Sequence, residues 1–250
     1  MTAQDISGRP ITADTRPQRV AIITGASHGI GAALVDAYRK LNYSVVANAR
    51  TMTASKDPRV AAVAGDIADP ATAERLVTTA VEQFKRVDTL INNAGVFVAK
   101  PFTEYTAADY DYVTAVNLDG FFHITQRVIA QMLSQGDGGH VVNVTTTLVE
   151  RADARVPSAL ASLTKGGLAS VTKSLAIEYA GRGIRVNAIS PGVIDTPLHA
   201  GDDHVALASL HPLGRMGTVD DIVKGVLYLE AATFVTGEFL HIDGGQSAGH

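Results

Sequence analysis

The segment Thr24-Gly25-Ala26-Ser27-His28-Gly29-Ile30-Gly31 sets glycines between an apolar run and an amphipathic stretch carrying Leu34, Val35, Tyr38 and Leu41. Glycines at such a turn let the backbone bend sharply and let an anion approach a helix start, where unpaired N–H groups and the helix dipole favour negative charge. The implied chemistry is capture of a phosphate or diphosphate by the turn. The spacing reads G-x-x-x-G-x-G and not the G-x-G-x-x-G of the dinucleotide fingerprint, so an ordinary glycine-rich turn is the plainer alternative. Further along, Ser158, Ser162 and Lys165 fall at i, i+4 and i+7, which puts both hydroxyls on the stripe of one lysine if the segment is helical. A neutral hydroxyl is a poor acid, so Ser162 suits orienting a water or, as a serine within a helix, bonding a backbone carbonyl.

The elements that must position these groups follow from periodicity. Short β-branched runs at 20–24, 44–49, 60–65, 87–92, 140–146, 184–189 and 237–242 read as strands. Between several of them lie helical patterns, such as Ala73, Leu76, Val77, Ala80, Val81 and Phe84, with one apolar face for a sheet. This βαβ rhythm with near-continuous apolar strands predicts an α/β fold: a single-domain, Rossmann-like doubly wound parallel sheet with helices on both faces. Ligands bind such sheets beyond the carboxyl ends of the strands. The stretch 195–217 follows a strand end and reads as a lid over a substrate.

Composition narrows the function. The 250 residues, 46% of them hydrophobic, suit one domain over 19–250 behind a polar tail, residues 1–18, expected to be disordered. A formal charge of -4, from 21 basic against 25 acidic residues, argues against a nucleic-acid partner. With no cysteine, disulfides, thiolate metal sites and a cysteine nucleophile are excluded. No metal site is expected. No secretory signal or membrane span is evident, so the expectation is a cytoplasmic protein without a membrane partner.

Combined with Asn92-Asn93-Ala94-Gly95, Asn117, Lys165 and Pro191-Gly192 with Thr196, the glycine turn resembles the short-chain dehydrogenase/reductase family in its single-domain form. The resemblance runs from about Val20 to the C-terminus and implies a nicotinamide cofactor and a small carbonyl or alcohol substrate. By resemblance the cofactor contacts Gly25, Ser27, His28, Gly29, Ile30, Gly31, Asp66 and Ile67, Asn93, Ala94 and Gly95, Lys165, and Pro191, Gly192, Ile194 and Thr196. The end of the second strand reads Asn48-Ala49-Arg50-Thr51, where an acid would select a ribose 2′-hydroxyl. Arg50, with help from His28, instead suits a 2′-phosphate, which favours NADP(H) over NAD(H).

The resemblance further implies Asn117 and Lys165 as catalytic residues, and Thr146, before Thr145, as the hydroxyl that binds the substrate oxygen. The family's tyrosine acid is expected four residues before Lys165. That position is Ala161, and 151–178 contains no tyrosine. Protonation through Lys165 and a water filling the space beside Ala161 is one substitute. A cofactor-binding protein without hydride transfer, or a lyase or isomerase using the same pocket, is the alternative. Charged residues Glu150, Arg151, Asp153 and Arg155, and His199, His204 and His211 in the lid, offer further titratable groups. Long helices at about 106–135 and 157–180 are the family's usual dimerisation elements, implying a homodimer or homotetramer.

Overall fold

The computed structural model describes residues 18–249. The expected tail thus lies outside the described residues except for Gln18, whose Nε2 donates to the Asn42 carbonyl at 3.0 Å.

Strands β1 (Val20–Thr24), β2 (Ser44–Ala49), β3 (Val60–Ala64), β4 (Thr89–Asn92), β5 (Gly139–Val144), β6 (Ile184–Pro191) and β7 (Phe239–Ile242) form one parallel sheet in the order β3-β2-β1-β4-β5-β6-β7. The direction of winding reverses between β1 and β4, and the reversal opens a crevice at their carboxyl ends. Helices are α1 (Gly29–Lys40), α2 (Pro70–Phe84), α3 (Ala107–Thr114), α4 (Gly120–Gln135), α5 (Ala159–Tyr179), α6 (His204–Ala208) and α7 (Val219–Ala231).

Alternation along each strand divides the core into two layers. Val20 and Ile22 of β1 face Leu76 of α2, Ile124 and Val128 of α4 and Ala176 of α5. Ala21 and Ile23 face the other way, against Leu34 and Tyr38 of α1 and Ile222 and Val226 of α7. Burial on both faces is why the central strands are mostly apolar, and their buried polar side chains such as Asn48, Asn143 and Asn187 are hydrogen-bonded. The α2 pattern lands as expected, with Ala73, Leu76 and Ala80 buried, Pro70 in the first turn and the Asp69 carboxylate accepting from Ala71 N. A fully buried leucine such as Leu76 contributes about 2 kcal/mol, so Leu76→Ala would open a cavity and cost more than that.

Several expected boundaries shift. The single helix expected at 106–135 is two helices joined by a π-helical turn, Ala115–Asp119. One extra residue in that turn rotates Asn117 inward. The expected strand 87–92 begins only at Thr89, because Val87 N is taken by the Gln135 side chain at 2.8 Å. The expected strand 140–146 stops at Val144, since Thr146 turns to cap the 3-10 turn Thr147–Val149. Gly237, with φ of 74°, delays β7 to Phe239. Among the described residues no helix is long and apolar enough to cross a membrane.

Candidate active site

The turn after β1 is locked to the end of β4. Thr24 Oγ1 donates to the Ile91 carbonyl and accepts from the backbone N–H groups of Asn93 and Ala94, at 3.1 and 3.0 Å. Asn93 Nδ2 returns to the carbonyls of Thr24 and Gly25. Gly25 adopts φ of 65°, and a β-carbon on it would stand 2.8 Å from Asn93 Nδ2. Gly31 lies behind the turn, where a β-carbon would strike the Gly25 carbonyl oxygen and approach Asn93 Nδ2 to 2.7 Å. Its role is close packing of α1 on the turn. At the start of α1, His28 is extended and caps nothing with its side chain, and the first turn holds no acid. The first-turn N–H groups are thereby left for an outside acceptor.

Along the carboxyl ends of the strands runs a cavity of about 900 Å³. Gly25, Ser27, His28, Gly29 and Ile30 line it beside Arg50, Asp66 and Ile67 from the β2 and β3 ends. Asn93, Ala94 and Gly95 follow β4, then Thr146 and Lys165, then Pro191, Gly192, Ile194 and Thr196 after β6. Two expected site residues, Gly31 and Asn117, stand one layer behind the wall.

The guanidinium of Arg50 is exposed at the rim with no hydrogen-bond or ion-pair partner among the described residues. Asp66 is turned to its own loop, its Oδ1 accepting from Ala68 N at 3.0 Å. Asn48, buried at the end of β2, spends its amide on the Val63 and Gly65 carbonyls and so ties β2 to β3.

At the other end, Lys165 reaches from α5 to donate to the Val144 carbonyl at 2.8 Å. Its ammonium is buried, and burial pulls its pKa from 10.5 down to about 8. A β-carbon on Gly95 would lie 2.9 Å from Nζ and 3.4 Å from Asn117 Oδ1, so these groups meet at the end of β4. Asn117 itself is saturated: Oδ1 accepts from Val96 N at 2.9 Å, and Nδ2 donates to the Val96 carbonyl and to Thr164 Oγ1. Ala161, one turn before Lys165, contributes its methyl to the cavity wall.

The hydroxyls of Thr145-Thr146-Thr147 differ in where their protons go. Thr145 donates to the Ile189 carbonyl at 2.7 Å, and Thr147 donates to Gln246 Oε1 at 3.1 Å. Thr146 only accepts, from Leu148 N at 3.4 Å, so its proton is uncommitted among the described residues. All three line the cavity.

Most other polar groups expected from the sequence already have partners, although Arg155 and His199 line the cavity. Ser162 does not line the cavity and donates to the Leu148 carbonyl at 3.2 Å, the structural alternative. Glu150 pairs with His241, and Arg155, at the cavity rim, pairs with Asp153. In the lid, His199 bonds Asp202 at 2.7 Å and His204 bonds the His199 carbonyl. The lid contains the 3-10 turn Pro197–His199 and α6, and Leu198, Ala206, Leu207 and Leu210 give it an apolar inner surface. His211 was legible only as a titratable residue; it is buried against the loop after β6.

Known proteins share this architecture. Residues 25–247 match the family model described as enoyl-(acyl carrier protein) reductase. The chain is 34% identical over 245 residues to cis-4-hydroxycyclohexanecarboxylate dehydrogenase of Sinomonas cyclohexanicum, covering 92% of this chain and 97% of that one. Its structure is similar to the 3-ketoacyl-(acyl-carrier-protein) reductase of Brucella melitensis complexed with NADH, with a TM-score of 0.83, 30% identity and coverage of 92% and 98%. It is also similar to ElxO with NADP bound, with a TM-score of 0.86, 26% identity and coverage of 93% and 100%. The chain belongs to the short-chain dehydrogenase/reductase family and is an oxidoreductase of that type.

Proposed function

We propose that this member of the family interconverts a small carbonyl compound and its alcohol with NADP(H), favoured over NAD(H), and that Lys165 with a water beside Ala161 handles the proton. The cradle fits a dinucleotide: the turn excludes a side chain at Gly25, the first turn of α1 holds no acid, and Arg50, without a partner among the described residues, offers charge to a phosphate. Gly25 to Ile30 would hold the diphosphate, Arg50 and His28 a 2′-phosphate, and Pro191 to Thr196 the nicotinamide end. When bound, the dinucleotide supplies or accepts a hydride.

The observation that carries the proposal is Lys165. A buried ammonium with its pKa brought to about 8 sits where it can give up a proton near neutral pH, in the same wall as the Ala161 methyl. Thr146, with its proton uncommitted, is placed to bind a carbonyl oxygen at that wall. Asn117 supports Lys165 from behind by fixing Val96 and Thr164. The apolar lid surface suits a compact substrate with a hydrophobic body. Absence of cysteine accords with action in the cytoplasm. Exposed Phe122 on α4, and Leu163 and Ile177 on α5, support a homodimer or homotetramer built on those helices.

Calorimetry with NADP and NAD, followed by turnover of a carbonyl panel by the native protein and by Ala161→Tyr, tests the reading. Substantial native turnover that Lys165→Ala abolishes, with cofactor affinity retained, supports the lysine-water route. Tight cofactor binding with no hydride transfer in the native protein, and activity appearing only in Ala161→Tyr, assigns the native chain to binding without redox turnover.

A further inference from the structure

The lid leaves and rejoins the sheet at one place. Asp195 N donates to the Gly217 carbonyl at 2.8 Å, and Gly217 N donates to the Val193 carbonyl at 2.9 Å. A third bond comes from within the lid, as Val193 N donates to Nε2 of His211 at 2.9 Å. Both backbone polar groups of Val193 are therefore satisfied by the lid segment. Gly192 and Val193 line the cavity on one side of this junction, and Leu207 and Leu210 line it on the other.

The His211 ring lies between the Gly192 loop and the Gly244 turn. A β-carbon on Gly192 would be 2.6 Å from Nε2, and one on Gly244 would be 3.2 Å from the His211 Cβ. An amide N–H can only donate, so Nε2 accepts and the ring carries its proton on Nδ1. That Nδ1 is buried without a hydrogen-bond partner among the described residues. A leucine would occupy the space without leaving a donor unsatisfied, so packing alone does not account for an imidazole here. The bond to Val193 does.

We propose that His211 is a positioning residue whose neutral imidazole holds the Val193 amide, so that the Gly192–Thr196 wall and the lid move as one body, and that a proton on Nε2 uncouples them. Burial opposes that proton most strongly and Arg215 opposes it too, while the Ala208 and Leu207 carbonyls and then Asp243 favour it. Asp243 is itself engaged by the N–H groups of Gly245 and Ser247, and Arg215 by Asp221. The C-terminal turn joins the same assembly, through Leu213 N to the Gly244 carbonyl at 3.1 Å and Gln246 to Thr147.

Amide hydrogen exchange on the cofactor-free protein, corrected for intrinsic rates, tests this with His211→Gln and His211→Phe. Glutamine Oε1 reaches to about the place of Nε2 and can accept, whereas phenylalanine keeps the ring and loses the acceptor. Val193 and the lid amides are expected to exchange about tenfold faster in the Phe variant and at the native rate in the Gln variant, with β1 and β4 unchanged in both. Acidification well below pH 6.5, the ordinary histidine pKa that burial lowers here, releases Val193 in the native protein and not in the Gln variant, an arm that stands even if the Phe variant fails to fold. Equal protection of Val193 in the native and Phe proteins, or a Gln variant no better protected than Phe, overturns the proposal. So does a native protein whose Val193 protection ignores pH. A rise in KM with little change in kcat in the Phe variant is the catalytic counterpart, and that arm alone rests on the carbonyl reductase reading. Exchange that behaves as expected in a protein without turnover upholds the coupling and refutes that reading.

Discussion

Asn187 determines which nitrogen of His140 carries the proton. Its Oδ1 accepts from Glu238 N at 3.0 Å, so its Nδ2 donates to the Val235 carbonyl and to His140 Nε2, each at 3.1 Å. His140 Nε2 is therefore an acceptor, and Nδ1–H donates to Glu230 Oε2 at 2.8 Å. The contact joins a neutral imidazole to an ionised carboxylate. It lies at the amino ends of β4 to β6, across the sheet from the cavity.

Acid is expected to destabilise the protein through this pair. Burial pushes the Glu230 carboxyl up, yet hydrogen bonds from His140, Tyr43 and Tyr38 outweigh it and hold the pKa below the ordinary 4.5. Burial lowers the His140 pKa below 6.5. In both groups the unfolded chain takes up the proton first, so the stabilisation is complete above the unfolded pKa values and is lost as pH falls toward the folded ones. Melting temperature should decline from about pH 6 downward. Glu230→Gln should cost about 3 kcal/mol at pH 7, leave cofactor affinity unchanged and flatten the acid side of the profile, as thermal denaturation would read. An unaltered profile in that variant would remove Glu230 from the account.

Lys165 shifts in the same direction, in a higher pH window. Its folded pKa of about 8 lies below the unfolded 10.5, so the buried charge costs stability below pH 8 and the cost is relieved as pH rises through 8 to 10.5. The shift corresponds to a cost on the order of 3 kcal/mol. Lys165→Met should therefore melt several degrees higher at pH 7 while losing turnover. A lower melting temperature would mean that the bond to Val144 outweighs the burial.

Thr145 and Thr146 should separate stability from turnover. Thr145→Val removes the donor to the Ile189 carbonyl, which is expected to cost about 1 kcal/mol with cofactor binding intact. Thr146→Val gives up the long 3.4 Å cap to Leu148 N, which should cost about 0.5 kcal/mol, and should lower kcat about a hundredfold. Steady-state kinetics beside denaturation would reveal a reversal of these roles.

Arg50→Ala should weaken NADP binding about tenfold or more and leave NAD binding nearly unchanged, because only the former carries a 2′-phosphate for this guanidinium. Titration calorimetry with both dinucleotides measures the ratio directly. Equal losses for the two would assign Arg50 to the rim without a selective contact.

Much of the sheet was legible because both-face burial leaves a plain imprint: β-branched runs separated by helical periodicity. Strand ends were less so, since side chains competed for the ladder, as Gln135 does at Val87. The π-helical turn at Asn117 left no mark, because its residues are ordinary helix formers and the inward rotation follows from contacts with Val96 and Thr164, far off in the chain. Choosing among three adjacent threonines needed to know where each hydroxyl proton goes. Periodicity does not carry that information. The same holds for His140 and Glu230, 90 residues apart and adjacent only once β5 and α7 are packed.

Clasping at Asp195 and Gly217 makes the intervening peptide a self-contained excursion whose ends meet whatever its contour. Closing such a ring costs only about 0.6 kcal/mol more for each doubling of length. The stretch between Leu198 and Leu210 can accordingly be recut, lengthened or grafted from a relative while the frame beneath keeps its register, which makes it the natural cassette for redirecting this scaffold toward new substrates.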